Sequence, residues 1–174
     1  MKANFDSAFN HVLQSEGGYS NDPVDAGGET NLGVTKKAWA TYIGRPVHDG
    51  EMKALTPDVV KPFYKSQYWD KIGGDELPYG LDYLAFDFAV NAGVTQASKF
   101  VQRCVGAKDD GVVGPDTLYR VSKANPRTMI MGFTNQKELF YKNVVQRIPS
   151  QVKFLNGWLT RSSTTEAKAM TMLA

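Results

Sequence analysis

Glu16 stands between a helical pattern and a glycine pair, a placement that suits a carboxyl meant to give up a proton. Upstream, Phe5, Phe9, Val12 and Leu13 recur at the spacing of one helix face, with Asn4 or Asp6 available as the cap. Glu16 comes three residues after Leu13 and four after Val12. Its side chain therefore leaves from the edge of the buried face, in the last turn before Gly17 and Gly18 stop the helix. Partial desolvation and the negative end of the helix dipole both disfavour the anion. A carboxyl kept protonated in this way is a general acid for a leaving oxygen. A glutamate in a last helical turn is also an ordinary solvated residue, so the case for chemistry depends on the residues after the glycine pair.

Those residues read YSNDPVDAGGETNLGVT. Segments 19–22 and 29–34 flank Pro23 to Gly28, which reads as a small hairpin or lobe with a glycine-allowed turn. Such a lobe can carry a second carboxylate back to Glu16. Asp25 is nine residues on, and Thr30 lies at the far side of the turn. Cleavage of a glycosidic bond uses such a pair: an acid for the leaving oxygen, and a carboxylate that positions water or stabilises an oxocarbenium-like centre. Asp22 and Asp25 also satisfy plain turn chemistry, and both readings stand at this point.

The elements that position these groups belong to a chain of 174 residues with 42% hydrophobic content, enough for one domain or one domain with a lobe. There is no apolar run near 18 residues, and MKANFDSAFNHVLQSEGG has no continuous apolar core of a signal peptide. Neither stable membrane insertion nor Sec export is expected. A single Cys104 excludes an intrachain disulfide, and with only two histidines beside it a structural zinc site is not expected. Cys104 is expected in the core. Asp109 and Asp110 lack the ligand spacing of a calcium loop, so no metal and no cofactor are expected. Charge is unevenly placed. Residues 1–94 hold 8 Lys or Arg against 13 Asp or Glu, net −5, while residues 95–174 hold 12 against 5, net +7. The basic half suits a polyanionic partner, although no nucleic-acid recognition motif accompanies it.

Along the chain, Thr35 caps a short helix with Ala38, Trp39, Tyr42 and Ile43 on one face. His48 lies in a polar connection without a partner. Thr56-Pro57-Asp58 opens a helix with Val59, Val60, Phe63, Tyr64 and Tyr68 on its apolar side and a kink or break at Pro62. Tyr68 and Trp69 either stack on a sugar ring or fill the core. Leu81, Leu84, Ala85, Phe88 and Ala92 mark a buried helix, with Asp87 and Asn91 on another face. A further helix from Thr95 carries Ala97, Phe100, Val101, Cys104 and Val105. DDGVVGPDTL is a tight turn that delivers Pro115 to the first position of the next helix, with Leu118 and Val121 inward. Asn125-Pro126 opens the longest helix, whose buried side runs from Met129 through Ile148. Val152, Leu155, Trp158 and Leu159 make one more face, and the tail from Arg161 is a short helix or a frayed end.

The run EGGYSNDPVDAGGETNLGVT resembles the signature of glycoside hydrolase family 108, which includes phage endolysins with N-acetylmuramidase activity. DFAVNAG, DDGVVGPDTL and FLNGWLTR resemble its later elements and an associated C-terminal peptidoglycan-binding-like region, so the resemblance reaches Arg161. It implies an α+β, mostly α, lysozyme-like fold with a small β-hairpin lobe. It places a catalytic part at residues 1–93 and a helical part at 94–174, packed as one compact unit with a cleft. It makes Glu16 the catalytic acid and gives Asp25 and Thr30 the places of the phage lysozyme triad, at an interval one residue shorter than usual. Tyr19, Asn31, Trp69 and Asn91 become candidates for contact with the glycan. The implied reaction is hydrolysis of the β-1,4 bond between N-acetylmuramic acid and N-acetylglucosamine. The implied partner is bacterial peptidoglycan, met by a monomer held in the host cytoplasm until a holin releases it to the periplasm or wall. A lytic transglycosylase, which also uses Glu16, and a wall-binding module without catalysis are the rival readings.

Overall fold

The computed structural model describes residues 4–21 and 28–173. Its elements are mostly helical, with one two-stranded antiparallel sheet, and the fold is an α+β, mostly α, lysozyme-like one. The chain divides into two compact units, one of Asp6–Gln67 and the other of Met1–Phe5 with Tyr68–Ala174.

In the first unit, α1 (Asn4–Ser15) buries Ala8, Phe9 and Val12 along the expected stripe. Strands β1 (Thr30–Asn31) and β2 (Val34–Thr35) pair Thr30 with Thr35 and Asn31 with Val34. The chain reverses at Leu32 and Gly33, both at positive φ (52° and 76°), as a two-residue hairpin with a primed turn requires. Segment 29–34 is therefore a strand and a turn, where the sequence reading had one continuous segment. Leu-Gly is an uncommon pair for that turn, since leucine bears the strain of a left-handed conformation. On the other edge Ser20 bridges Thr30 through paired backbone bonds of 2.8 and 2.9 Å, which is the expected return of the loop.

Thr35 then caps α2 (Lys36–Ile43), its hydroxyl accepting from the Ala38 N–H at 3.1 Å, and Gly44 ends that helix in the left-handed region. The α3 helix (Pro57–Tyr64) starts at its proline as expected. It passes Pro62 and loosens into a π-helical turn at Lys65–Trp69. The core of this unit is aromatic: Phe63 meets Trp39, Tyr42 and Tyr64, and Phe9 packs on Tyr64 at 5.5 Å between ring centres. Val59 is an exception to the expected stripe, being exposed.

The second unit is built from α4 (Leu81–Ala92), α5 (Val94–Cys104), α6 (Pro115–Lys123), α7 (Pro126–Arg147) and α8 (Val152–Thr171). The α4 helix is its centre. Every residue from Leu81 to Ala89 is buried, including Asp82 and Asp87, so the helix has no solvent face over that span. Phe88 stacks on Phe100 and meets Phe133 edge-on, tying α4 to α5 and α7. The face expected for α8 is shifted. Val152 is exposed, and the buried positions are the small residues Ser162, Thr165 and Ala169. A side chain on Gly80 would meet the Ala169 carbonyl at 2.5 Å, so backbone lies almost against backbone there. The tail is helical to Thr171.

Candidate active site

The α1 helix ends at Ser15, and the Glu16 N–H closes a final tight turn on the Leu13 carbonyl at 3.1 Å. Glu16 is half-buried, in keeping with a residue at the edge of the helix's inward face. Its side chain reaches the tip of the β1–β2 hairpin. A methyl group added at Gly33 would lie 2.8 Å from Glu16 Oε2, 2.9 Å from its Cγ and 2.6 Å from the Tyr64 hydroxyl. Two constraints thus meet at Gly33: a left-handed backbone, and a carboxyl and a phenol occupying the space of its missing side chain. Tyr64 fixes the turn from the other side by donating to the Leu32 carbonyl at 2.8 Å. Sequence reasoning placed Tyr64 on an apolar face and missed this role. The available signal was a hydroxyl on an otherwise hydrocarbon stripe, which a buried phenol must satisfy.

Thr30 occupies the middle of the small sheet, paired to Ser20 on one side and Thr35 on the other. Asp25 and Asp22 lie outside the described residues. Glu29, the remaining acidic residue of the loop, has both oxygens engaged: Oε1 accepts from the Tyr19 hydroxyl at 3.0 Å and Oε2 from Lys36 Nζ at 2.9 Å. The Lys36 hydrogen bond holds the Glu29 carboxyl below its usual range. The same carboxylate raises the Tyr19 phenol and the Lys36 ammonium. Glu29 is a fixed anion that ties the start of β1 to α2. Tyr19 keeps an exposed ring, with Lys53 Nζ 5.8 Å from its centroid.

The other expected glycan contacts are placed differently. Asn31 is buried, and its amide donates to the Met52 carbonyl at 2.8 Å, bracing β1 against the 45–55 connection. Trp69 is fully buried between Phe5 and Phe86, with its indole N–H on Asp75 at 2.9 Å. Both are corrections: their polar groups are satisfied inside the protein and their surfaces are withdrawn from solvent. Asn91 is exposed near the end of α4, where its side-chain oxygen accepts from Tyr141 at 2.9 Å. His48 is exposed, as expected. Cys104 is half-buried, not in the core, and burial pushes its thiol up to about 11. The DDGVVGPDTL turn is held by a residue that sequence reasoning passed over. The buried Gln102 donates to Asp110 and the Val112 carbonyl and accepts from the Gly111 N–H, at 2.8 to 3.0 Å. Among the described residues no group of three His, Cys, Asp or Glu could hold a metal ion.

The Glu16 carboxyl thus stands at a helix end, set against a small hairpin. Residues 9–93 match the family model for glycosyl hydrolase 108 and residues 96–163 that for a predicted peptidoglycan domain. The solved structure of SagA from Brucella abortus matches with a TM-score of 0.85 at 35% identity, over 99% of this chain and 97% of that one. Comparison with curated proteins gives no match. The chain belongs to glycosyl hydrolase family 108 and carries a C-terminal peptidoglycan-binding-like region. It is a glycoside hydrolase whose partner is peptidoglycan.

Proposed function

We propose that the protein is a muramidase, which hydrolyses the β-1,4 bond between N-acetylmuramic acid and N-acetylglucosamine with Glu16 as general acid. The observation that carries this reading is the Glu16 carboxyl seated against the hairpin tip at Gly33, beside the Tyr64 hydroxyl. Substrate positioning needs a carboxyl with few available rotamers, and this crowding supplies that restriction. Glu16 protonates the leaving oxygen. Asp25, by its order after Glu16 and before Thr30, supplies the second carboxylate, and Thr30 helps orient water. Tyr19 offers an exposed ring to the sugar. The setting we infer is a phage endolysin, held in the host cytoplasm until a holin gives access to the wall.

Mass spectrometry of digested peptidoglycan tests the reaction. Muramic acid at new reducing ends is expected; anhydro-muramic acid would make the enzyme a lytic transglycosylase, and no cleavage would leave a binding protein. Glu16→Gln keeps the shape of the side chain without its proton, so turnover should fall at least about 100-fold with the fold intact. A smaller loss removes Glu16 from the acid role. Asp25→Ala should likewise lower turnover by about 100-fold, with little change in substrate affinity.

A further inference from the structure

The helical unit contains an open cleft of about 270 Å³ formed by residues of α5 and α7, well separated in sequence from Glu16. Buried Phe100 and half-buried Phe140 give it an apolar base, and Arg103, Arg147, Gln96 and Gln136 give it a polar border with no acidic residue in the lining. Arg103 uses Nε on Asp109 at 2.7 Å, which leaves its two terminal amino groups for another acceptor. Arg147 makes no ion pair among the described residues. Gln136 donates to the Phe100 carbonyl at 3.1 Å and to Cys104 Sγ at 3.3 Å. That fixes its orientation and leaves Oε1 buried with no hydrogen-bond partner among the described residues. The side-chain amide of Gln136 is therefore part of the cleft's fixed wall.

We propose that this cleft binds the peptide stem of peptidoglycan through its free carboxylates. The inference rests on peptidoglycan being the partner and names the part of it that is gripped. A neutral sugar would use an aromatic face and the amides, and would leave Arg147 without a counter-charge and the outer amino groups of Arg103 idle. A stem peptide answers each feature. Its carboxylates suit planar, doubly donating arginines, and its alanyl methyls suit the apolar base at Phe100 and Phe140. The volume lies near the lower end for ligand clefts, about 300 Å³, which fits a short peptide segment better than a glycan strand.

The test is calorimetric titration of the full chain with a synthetic stem peptide bearing free carboxylates, beside the same peptide with every carboxylate amidated. The free peptide should bind saturably. Amidation, and separately the double substitution Arg103→Gln with Arg147→Gln, should each weaken binding at least 10-fold. Arg147→Gln alone, at an exposed residue without an ion pair, should weaken it several-fold without touching the Asp109 pair. Equal binding of the amidated peptide, unchanged binding by the folded variants, or no saturable binding would each overturn the proposal. Peptide binding involves no glycosidic bond. A wall-cleaving protein that ignores the peptide sinks this inference alone, and a peptide-binding protein that cleaves no glycan sinks the muramidase reading alone.

Discussion

The two units each hold an acidic side chain between two partners, and the two triplets work under opposite conditions. In the Asp6–Gln67 unit, half-buried Glu29 joins Tyr19 and Lys36, whose own side chains reach water, so either partner can be solvated if it leaves the carboxylate. In the helical unit, Asp87 joins Lys137 Nζ at 3.0 Å and Arg161 at 2.7 Å, with the side chains of Asp87 and Lys137 only 2% and 1% exposed. There the neighbours are Phe88 and the hydrocarbon core, and removing Asp87 strands the Lys137 ammonium. Burial pulls the Lys137 ammonium below its usual range, and the Asp87 carboxylate opposes that pull. The lesson is that a carboxylate held between two donors sets local geometry in one unit and decides whether the other holds together.

The sharpest break in that comparison is Asp87→Ala, which leaves Lys137 buried without its anion. A loss of about 3–5 kcal/mol is expected in urea unfolding. Replacing the pair together, Asp87→Leu with Lys137→Met, should recover most of the loss. Failure to recover would mean the ion pair itself, and not the avoidance of a stranded charge, supports the core.

Asp82 sharpens the comparison through pH. Burial pushes its carboxyl up to about 6 despite hydrogen bonds from Asn4 and the Tyr83 N–H, so the folded chain keeps this proton where the unfolded chain, with a pKa of 3.8, has released it. Its contribution to stability is therefore complete below about pH 3.8 and is lost as pH rises through about 6, by up to about 3 kcal/mol. Asp82→Asn should flatten this part of the stability profile and stabilise the protein at neutral pH, with the Asn4 amide turned over to present its oxygen. A profile that keeps its slope in the variant would assign the effect elsewhere.

Gly33→Ala should cost about 1–3 kcal/mol, because it combines a left-handed residue with displacement of Glu16 or Tyr64. Turnover should fall more than this stability loss explains, and a variant with full turnover would detach Glu16 from the hairpin tip. The smallest effect belongs to Lys36→Met, where the thermal unfolding midpoint should stay within error of wild type. A clear drop would show that the Glu29 triplet is more than local geometry.

The same contrast explains what was legible in the sequence. Local signals were: Thr35, Pro57, Pro115 and Asn125 at helix starts, and the end of α1 before the glycine pair, because each is settled within a few residues of itself. The environments of Asp87 and Lys137 were not, since the two are 50 residues apart and a charged side chain reads as a solvated one until its partner is known. Trp69 was ambiguous for a related reason. An aromatic at a helix end suits a ligand or a core equally, and the Asp75 acceptor that settles it is supplied only when the next loop folds under the ring. Tyr64 shows the limit at the site itself, where periodicity places the ring and has nothing to say about its hydroxyl.

The Gly80 and Ala169 approach bears on how this protein can be cut and recombined. The match to the predicted peptidoglycan domain stops at residue 163, yet Thr165 and Ala169 beyond it are buried, the latter carbonyl against Gly80. A fragment trimmed to that match would lose a turn and more of the helix that covers α4. A chimera joined between residues 93 and 96 would divide Asp87 from Lys137 and Arg161 and ask unrelated partners to meet across a core fitted to backbone contact. The two family segments are not exchangeable cassettes. A crossover in the 45–55 connection would fare no better, because it would part Phe9 from Tyr64 and Trp39 from Phe63 within the aromatic core of the other unit.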